Sequence, residues 1–287
     1  MLKLSSKNKL YPNQLNRLHK PPNILYISSN AWEDIYNMPM LSVVGSRKPT
    51  AYGAAICAQL VREVAAKGVC IVSGLALGTD SIAHSAALEV GGRTIAVLPS
   101  GLNKIYPRTH QHLAEDIIAK GGALISEYPP EDSVAQKYNF IARNRIIAGL
   151  SSATLIPEAA IKSGSLHTAQ FALECGNDIL AVPGLITNPQ AEGCHNLIKA
   201  GAQLVASADD ILNYYKLSSS NNRAKIDFEA NSPEEHAILS LIANGVTDGE
   251  ELQLQSGLPV DKFSQTLTML EITGRISPQG ANTWHIN

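Results

Sequence analysis

The sequence predicts an α/β fold: an extended Rossmann-like, mostly parallel sheet with helices on both faces, followed by a small C-terminal winged-helix domain. Three observations carry this. Short apolar runs alternate with helix-period segments from Leu41 to about Tyr215, the pattern of a parallel sheet covered on both sides. Three of these runs end in small-residue turns that open into helices. A polar Ser/Asn-rich stretch then separates this region from a short unit of three helices and a hairpin.

The strands expected in order are Leu41–Gly45, Val69–Ser73, Thr94–Leu98, Ala123–Ser126, Ala153–Ile156, Ile179–Val182 and a short one at Gln203–Val205. The first helix, from Ala51 to Lys67, places Ile56, Leu60 and Val64 on one face and stops at Gly68. Four segments result: a short lead-in at 1–40, the Rossmann-like domain at 41–215, a linker at 216–231 and the winged helix at 232–287. Within the last, Pro233–Ala243, Gly249–Gln255 and Val260–Gly274 are the expected helices, and Arg275–Pro278 and Thr283–Ile286 the expected strands.

At 287 residues and 45% hydrophobic content the chain can bury a proper core. It has no apolar run long enough to span a membrane, and the opening MLKLSSKNKLYP lacks the apolar stretch of a signal peptide, so the expected location is the cytoplasm. Cys57, Cys70, Cys175 and Cys194 show no CxxC spacing and suit reduced core thiols. His110 and His112 stand without a thiol or carboxylate at ligand spacing, so no metal and no cofactor is expected.

The formal net charge is −2. Residues 1–40 carry 5 basic and 2 acidic side chains, residues 41–212 carry 13 and 14, and residues 213–287 carry 5 and 9. A polyanion must therefore be held by a few placed cations and backbone N–H groups, because there is no diffuse basic face. The winged helix is acidic, which favours a protein-contact role over duplex reading.

The three turns lie where open α/β sheets bind ligands, beyond the carboxyl ends of the strands. In VVGSRKPTAYG, Gly45 lets an anion approach, Ser46 offers a hydroxyl and Arg47 a planar fork. In IVSGLALGTDSIAH, Ser73, Gly74 and Gly78 free the backbone, with Asp80 as a helix cap and His84 on the same face. Ser163, Gly164 and Ser165 precede a further helix and form a third anion cradle. Lys137, Phe140, Arg143, Asn144 and Arg145 follow a Pro-containing loop, and cations interleaved with aromatics suit single-stranded nucleic acid. Arg108, after Tyr106-Pro107, is a further cation at that rim. There is no GxGxxG after a strand, GxxxxGK[ST], GxSxG or HExxH, so the usual signatures of dinucleotide, P-loop, serine-hydrolase and zincin chemistry are missing.

Taken together, GSR-x-PT-x-YG, SGLAxGxDxxAH, GGRTIAVLxxGLxxxYP, NFxxRNRIIAGLS, SGSLxTAxxALE and AVPG followed by GCxxLIxxGA resemble the DNA-processing protein A (DprA, also called Smf) family of bacterial recombination mediators. The resemblance implies a homodimer that binds single-stranded DNA without turnover, protects incoming DNA and helps load the recombinase RecA in natural transformation. It implies DNA contacts at Arg47, Arg108, Lys137 and Phe140. It also shows departures. Many members carry a SAM-like helical domain ahead of the core, where the expectation here is only a short lead-in; Leu77 stands at an often basic position, and Pro157 and Thr79 replace the usual apolar residues. The enzyme alternative is the related Rossmann-like group resembling nucleoside-monophosphate phosphoribohydrolases. It would need Glu174 to replace the Glu of a PGGxGTxxE motif.

Overall fold

The computed structural model describes residues 1–132, 137–217, 232–243, 246–280 and 282–286. The expected linker falls mostly outside these residues. Two compact units result, Met1–Ser218 and Ser219–Asn287.

The first unit opens with β1 (Leu2–Ser5), β2 (Ile24–Ser28) and α1 (Trp32–Tyr36). The alternating core follows: β3 (Met40–Val43), α2 (Ala51–Ala66), β4 (Cys70–Ser73), α3 (Thr79–Glu89), β5 (Thr94–Val97), α4 (Gln111–Ala119) and β6 (Ala123–Ser126). It continues with α5 (Lys137–Leu150), β7 (Ala153–Ile156), α6 (Ser165–Glu174), β8 (Asp178–Ala181), α7 (Glu192–Lys199), β9 (Gln203–Leu204) and α8 (Ala208–Tyr214). All seven strands read from the apolar runs are present.

The nine strands form one sheet in the order β1-β2-β6-β5-β4-β3-β7-β8-β9. From β6 to β9 every pairing is parallel. The chain builds outward from β3 to β6 and then returns to start again at β7 on the other side of β3, so a crevice opens beyond the carboxyl ends of β3 and β7.

Strand residues point alternately into two cores. Leu41, Val43, Ile71, Leu155 and Leu180 face α2, α3 and α8, meeting Leu60, Val64, Ala83 and Ile211. Cys70, Val72, Ile95, Val97, Ile125 and Ile179 face α5, α6 and the N-terminal segment, meeting Ile146, Ile147 and Ala169. Both faces are apolar because both are covered, which is why these strands read as continuous hydrophobic runs. All four cysteines are free and buried.

Residues 1–40 correct the sequence reading. β1 pairs antiparallel with β2, and β2 pairs antiparallel with β6, extending the sheet by two strands. Tyr11, Leu15, Leu25, Ile27 and Ile35 are fully buried. The Tyr11 hydroxyl donates to Pro22 O at 2.6 Å, and Trp32 Nε1 donates to Leu10 O at 3.0 Å. The segment is an integral wall of the core, read as a lead-in because β1 and β2 are short and interrupted by polar turns.

The second unit holds α9 (Pro233–Ala243), α10 (Gly249–Ser256), α11 (Val260–Ile272) and the hairpin β10 (Ile276–Gly280) and β11 (Thr283–Ile286). Ile238, Leu239, Leu252, Phe263, Leu267 and Leu270 form its own small core, and Asp248 caps α10 by accepting the Glu250 and Glu251 N–H groups. Among the described residues no helix is long and apolar enough to cross a membrane.

Because Tyr11 fills the core and closes a buried hydrogen bond, Tyr11→Ala is expected to cost about 3–5 kcal/mol. Urea unfolding should show a lower midpoint. Wild-type stability would return the segment to a peripheral role.

Candidate nucleic-acid interface

A cleft of about 500 Å³ occupies the switch point between β3 and β7. Val44–Arg47 enter it from the end of β3, Ala160 and Lys162–Ser165 from the turn before α6, and Phe140, Arg143 and Asn144 from α5. The first and third anion turns thus share one cavity, and the second forms part of its floor through Ala76 and Asp80.

The first turn is held rigidly from two sides. Ser46 N–H donates to Glu158 O at 3.1 Å, and Glu158 Oε1 accepts the Thr50 N–H at 3.0 Å. The Thr50 hydroxyl donates to Glu158 Oε2 while accepting the Gly53 N–H at 3.1 Å, so one threonine both caps α2 and ties it to the turn after β7. The second turn is bolted to the first, with Thr79 N–H and Thr79 Oγ1 both donating to Ser46 O, at 3.1 and 3.0 Å. Gly78 is required at this crossing. Its φ is +80°, and a Cβ would lie 2.6 Å from the Arg47 carbonyl.

Below the crossing lies a buried charge. Arg143 is 3% exposed, and its Nη1 donates to Gly74 O and Val97 O, the carbonyls at the ends of β4 and β5. Gly74 must be glycine because a Cβ there would collide with the guanidinium. Burial lowers the Arg143 pKa to about 10, so it stays charged at neutral pH. Burial likewise raises that of Asp80, which the Arg143 charge and the N–H groups of Gly74 and Ala76 oppose. Asp80 Oδ2 accepts those two N–H groups at 3.1 and 3.3 Å, so it staples the second turn instead of capping α3.

Several residues nominated from sequence are therefore internal. Arg143 positions the site's walls from beneath. Ser73 is fully buried and its Oγ donates to Val43 O at 2.7 Å, which straps β4 to β3. Gly74 is packed under Arg143. Arg145 is ion-paired with Glu127, mostly buried, and does not line the cleft. The side chain of Lys137 lies outside the described residues.

The exposed face is built from the others. Arg47 is exposed and lies over the Phe140 ring, 5.5 Å from its centroid. Tyr106 meets the same ring edge-on at 5.3 Å, bringing the loop that carries exposed Arg108 to the rim. Gly45, Ser46, Asn144, Ser163, Gly164 and Ser165 line the cleft with them. Three residues were missed from sequence. Lys162, next to the third turn, adds an exposed cation; its place beside Ser163 was the available signal. Thr168 lines the wall, and Glu158 holds the first turn from a strand-end loop that carries no motif.

Asp80 and His84 make no exposed acid–base pair. His84 is fully buried, its Nδ1 2.7 Å from Thr94 Oγ1, and the Thr94 hydroxyl donates to Ile71 O at 2.8 Å. The threonine oxygen must then accept from the imidazole, which assigns a neutral ring with its proton on Nδ1. Burial, aided by the Arg143 charge, pushes its pKa down from 6.5 to about 3. Among the described residues no cluster of three His, Cys, Asp or Glu could hold a metal.

Comparison with known proteins agrees with this architecture. The model of the DNA recombination-mediator protein A family matches residues 3–216, and that of the DprA winged helix domain matches residues 227–282. Protein Smf of Escherichia coli strain K12 is 39% identical over 281 residues, covering 96% of this chain and 74% of that protein. The X-ray structure of DNA processing protein A from Streptococcus pneumoniae superposes with a TM-score of 0.69 at 40% identity, covering 74% of this chain and 73% of that one. A Helicobacter pylori structure, described as giving insight into the single-stranded DNA binding mode of its DNA processing protein A, superposes with a TM-score of 0.66 at 31% identity. It covers 75% of this chain and 96% of that chain.

The low His84 pKa has a defined consequence for stability. Between pH 6.5 and about 3 the unfolded chain binds a proton that the folded one refuses, so stability is full above pH 6.5 and falls on acidification. By pH 5 this group alone should remove about 2 kcal/mol. His84→Gln should show a shallower decline in urea-unfolding stability from pH 7 to pH 5; an unchanged decline would remove His84 as its source. Asp80, raised by burial, acts with the opposite sign.

Proposed function

The chain belongs to the DNA recombination-mediator protein A family, and from that premise we propose that its cleft binds single-stranded DNA without catalytic turnover. The observation that carries this is one cleft lined by Arg47, Phe140 and Ser163–Ser165, with Tyr106 packed edge-on against Phe140. An aromatic platform beside a cation and the Ser163 and Ser165 hydroxyls matches an unpaired base with its phosphate. Arg47 and the turns take phosphates, Phe140 stacks on or wedges beside a base, and Arg108 extends the path along the rim. A strand of about four to eight nucleotides fits such a compact site.

The larger role follows the family: a cytoplasmic homodimer that shields incoming single strands and helps load RecA in natural transformation. Relatives named for DNA processing, and a neighbour described by its single-stranded DNA binding mode, support this reading. The phosphoribohydrolase alternative lacks its carboxylate. Glu174 is exposed at the far end of α6, about 14 Å along the helix axis from Ser165.

Fluorescence anisotropy of a labelled single strand and its duplex across a salt series tests the proposal. Tight binding of the single strand is expected, and Arg47→Ala should weaken it while flattening the salt dependence by about 0.7 units per lost phosphate contact. Weakening with an unchanged slope would remove Arg47 from the phosphate path, and no binding by folded wild type would sink the proposal. Phe140→Ala should cost about 1–3 kcal/mol of binding. Undiminished affinity would make Phe140 a packing residue only.

A further inference from the structure

We propose that the α6 end of the cleft is a socket for a phosphomonoester, so that the protein grips a single strand preferentially by a phosphorylated end. This rests on the reading of the cleft as a strand-binding site and names the group it selects.

One observation is independent of the helix terminus itself. Thr168 is fully buried and lines the cleft, yet its Oγ1 has no hydrogen-bond partner. Buried hydroxyls in folded proteins are normally paired, so one left bare at a cavity wall marks a place for a ligand atom. It sits one turn into α6, behind Ser163-Gly164-Ser165. Ser163 Oγ and Ser165 Oγ lie 2.7 Å apart. Two hydroxyls sharing one hydrogen bond leave one O–H free to donate outward. The N–H groups of Ser163, Ser165, Leu166 and His167 already donate within the chain, so the helix N-terminus contributes its dipole on the same wall. Lys162 and Arg47 supply charge around the cavity, while the Asp80 carboxylate on the floor is occupied by the Gly74 and Ala76 N–H groups beside Arg143.

This donor set matches a terminal phosphate better than an internal one. A phosphodiester offers two free oxygens sharing one charge, and its chain must leave the cavity on both sides. A phosphomonoester offers three free oxygens, carries a second negative charge above a pKa of about 6, and needs one exit. Arg143 and Asp80 line the floor with their polar atoms held by neighbouring backbone groups, and a terminal phosphate needs no path past them.

The test is competition against a labelled single strand by oligothymidylates of equal length bearing a 5′-phosphate, a 3′-phosphate or hydroxyls at both ends, using the full chain. One phosphorylated form should compete about fivefold better than the hydroxyl form, the scale of one extra charge at a helix N-terminus. The two phosphorylated arms identify which end is held. Thr168→Val, which removes the hydroxyl at nearly constant volume, should bring the ratio close to one, and Thr168→Ser should keep it. Equal competition by all three ends overturns the socket and leaves strand binding intact. A preference that survives in a folded Thr168→Val variant also overturns it. Failure of every strand to bind removes the strand-binding reading itself.

Discussion

The geometry of the cleft depends on one buried cation. An ionised guanidinium taken out of water is costly unless its donors and its charge are both answered. Arg143 is answered by the carbonyls of Gly74 and Val97, which stand free because β4 and β5 end there, and by the nearby charge of Asp80. Asn139, one turn earlier on α5, donates from Nδ2 to Pro99 O at 3.1 Å. These two anchors fix the rotation of α5 against the strand ends. Phe140, three residues before Arg143, is thereby presented to the cleft. A surface arginine could not set a helix this firmly, because water would compete for each donor.

The same arrangement explains which parts of the site were legible in the sequence. The parallel core declared itself, since strands buried on both faces leave continuous apolar runs and the glycines at their ends mark the turns. Arg47 and Ser163–Ser165 were found because they adjoin those glycines. Arg143 was also nominated, but as a surface contact, since a cation three residues after an aromatic looks the same in sequence whether it faces solvent or a strand end. Glu158 carried no local signal because its partners, Ser46 and Thr50, are more than a hundred residues away. β1 and β2 were missed for a related reason. Their pairing is antiparallel at a sheet edge, so β1 is half covered and alternates weakly, and its neighbours are polar turns.

Fixing the turns before any ligand arrives compensates for a scarcity of charge. A chain of formal net charge −2 carries no overall positive charge to attract a polyanion broadly. The hydroxyls and cations of its cleft sit instead on turns whose positions are set by bonds between them, such as Thr79 to Ser46 and Thr50 to Glu158. Donors that need no reordering on binding retain more of their interaction energy as affinity.

Two kinds of recognition are thereby separated. Contacts from N–H groups and hydroxyls displace no condensed counter-ions, whereas each cation that meets a phosphate does. In the proposed strand-binding reading, the salt dependence of binding is set by exposed cations such as Arg47, Arg108 and Lys162, and the shape of the bound group by the turns. In the second unit, α11, the helix a winged fold would use for duplex DNA, carries one lysine against two carboxylates. On the same proposed reading, discrimination between single strand and duplex falls to Phe140 and Tyr106, which need an unstacked base, and not to electrostatics, which would favour the more densely charged duplex.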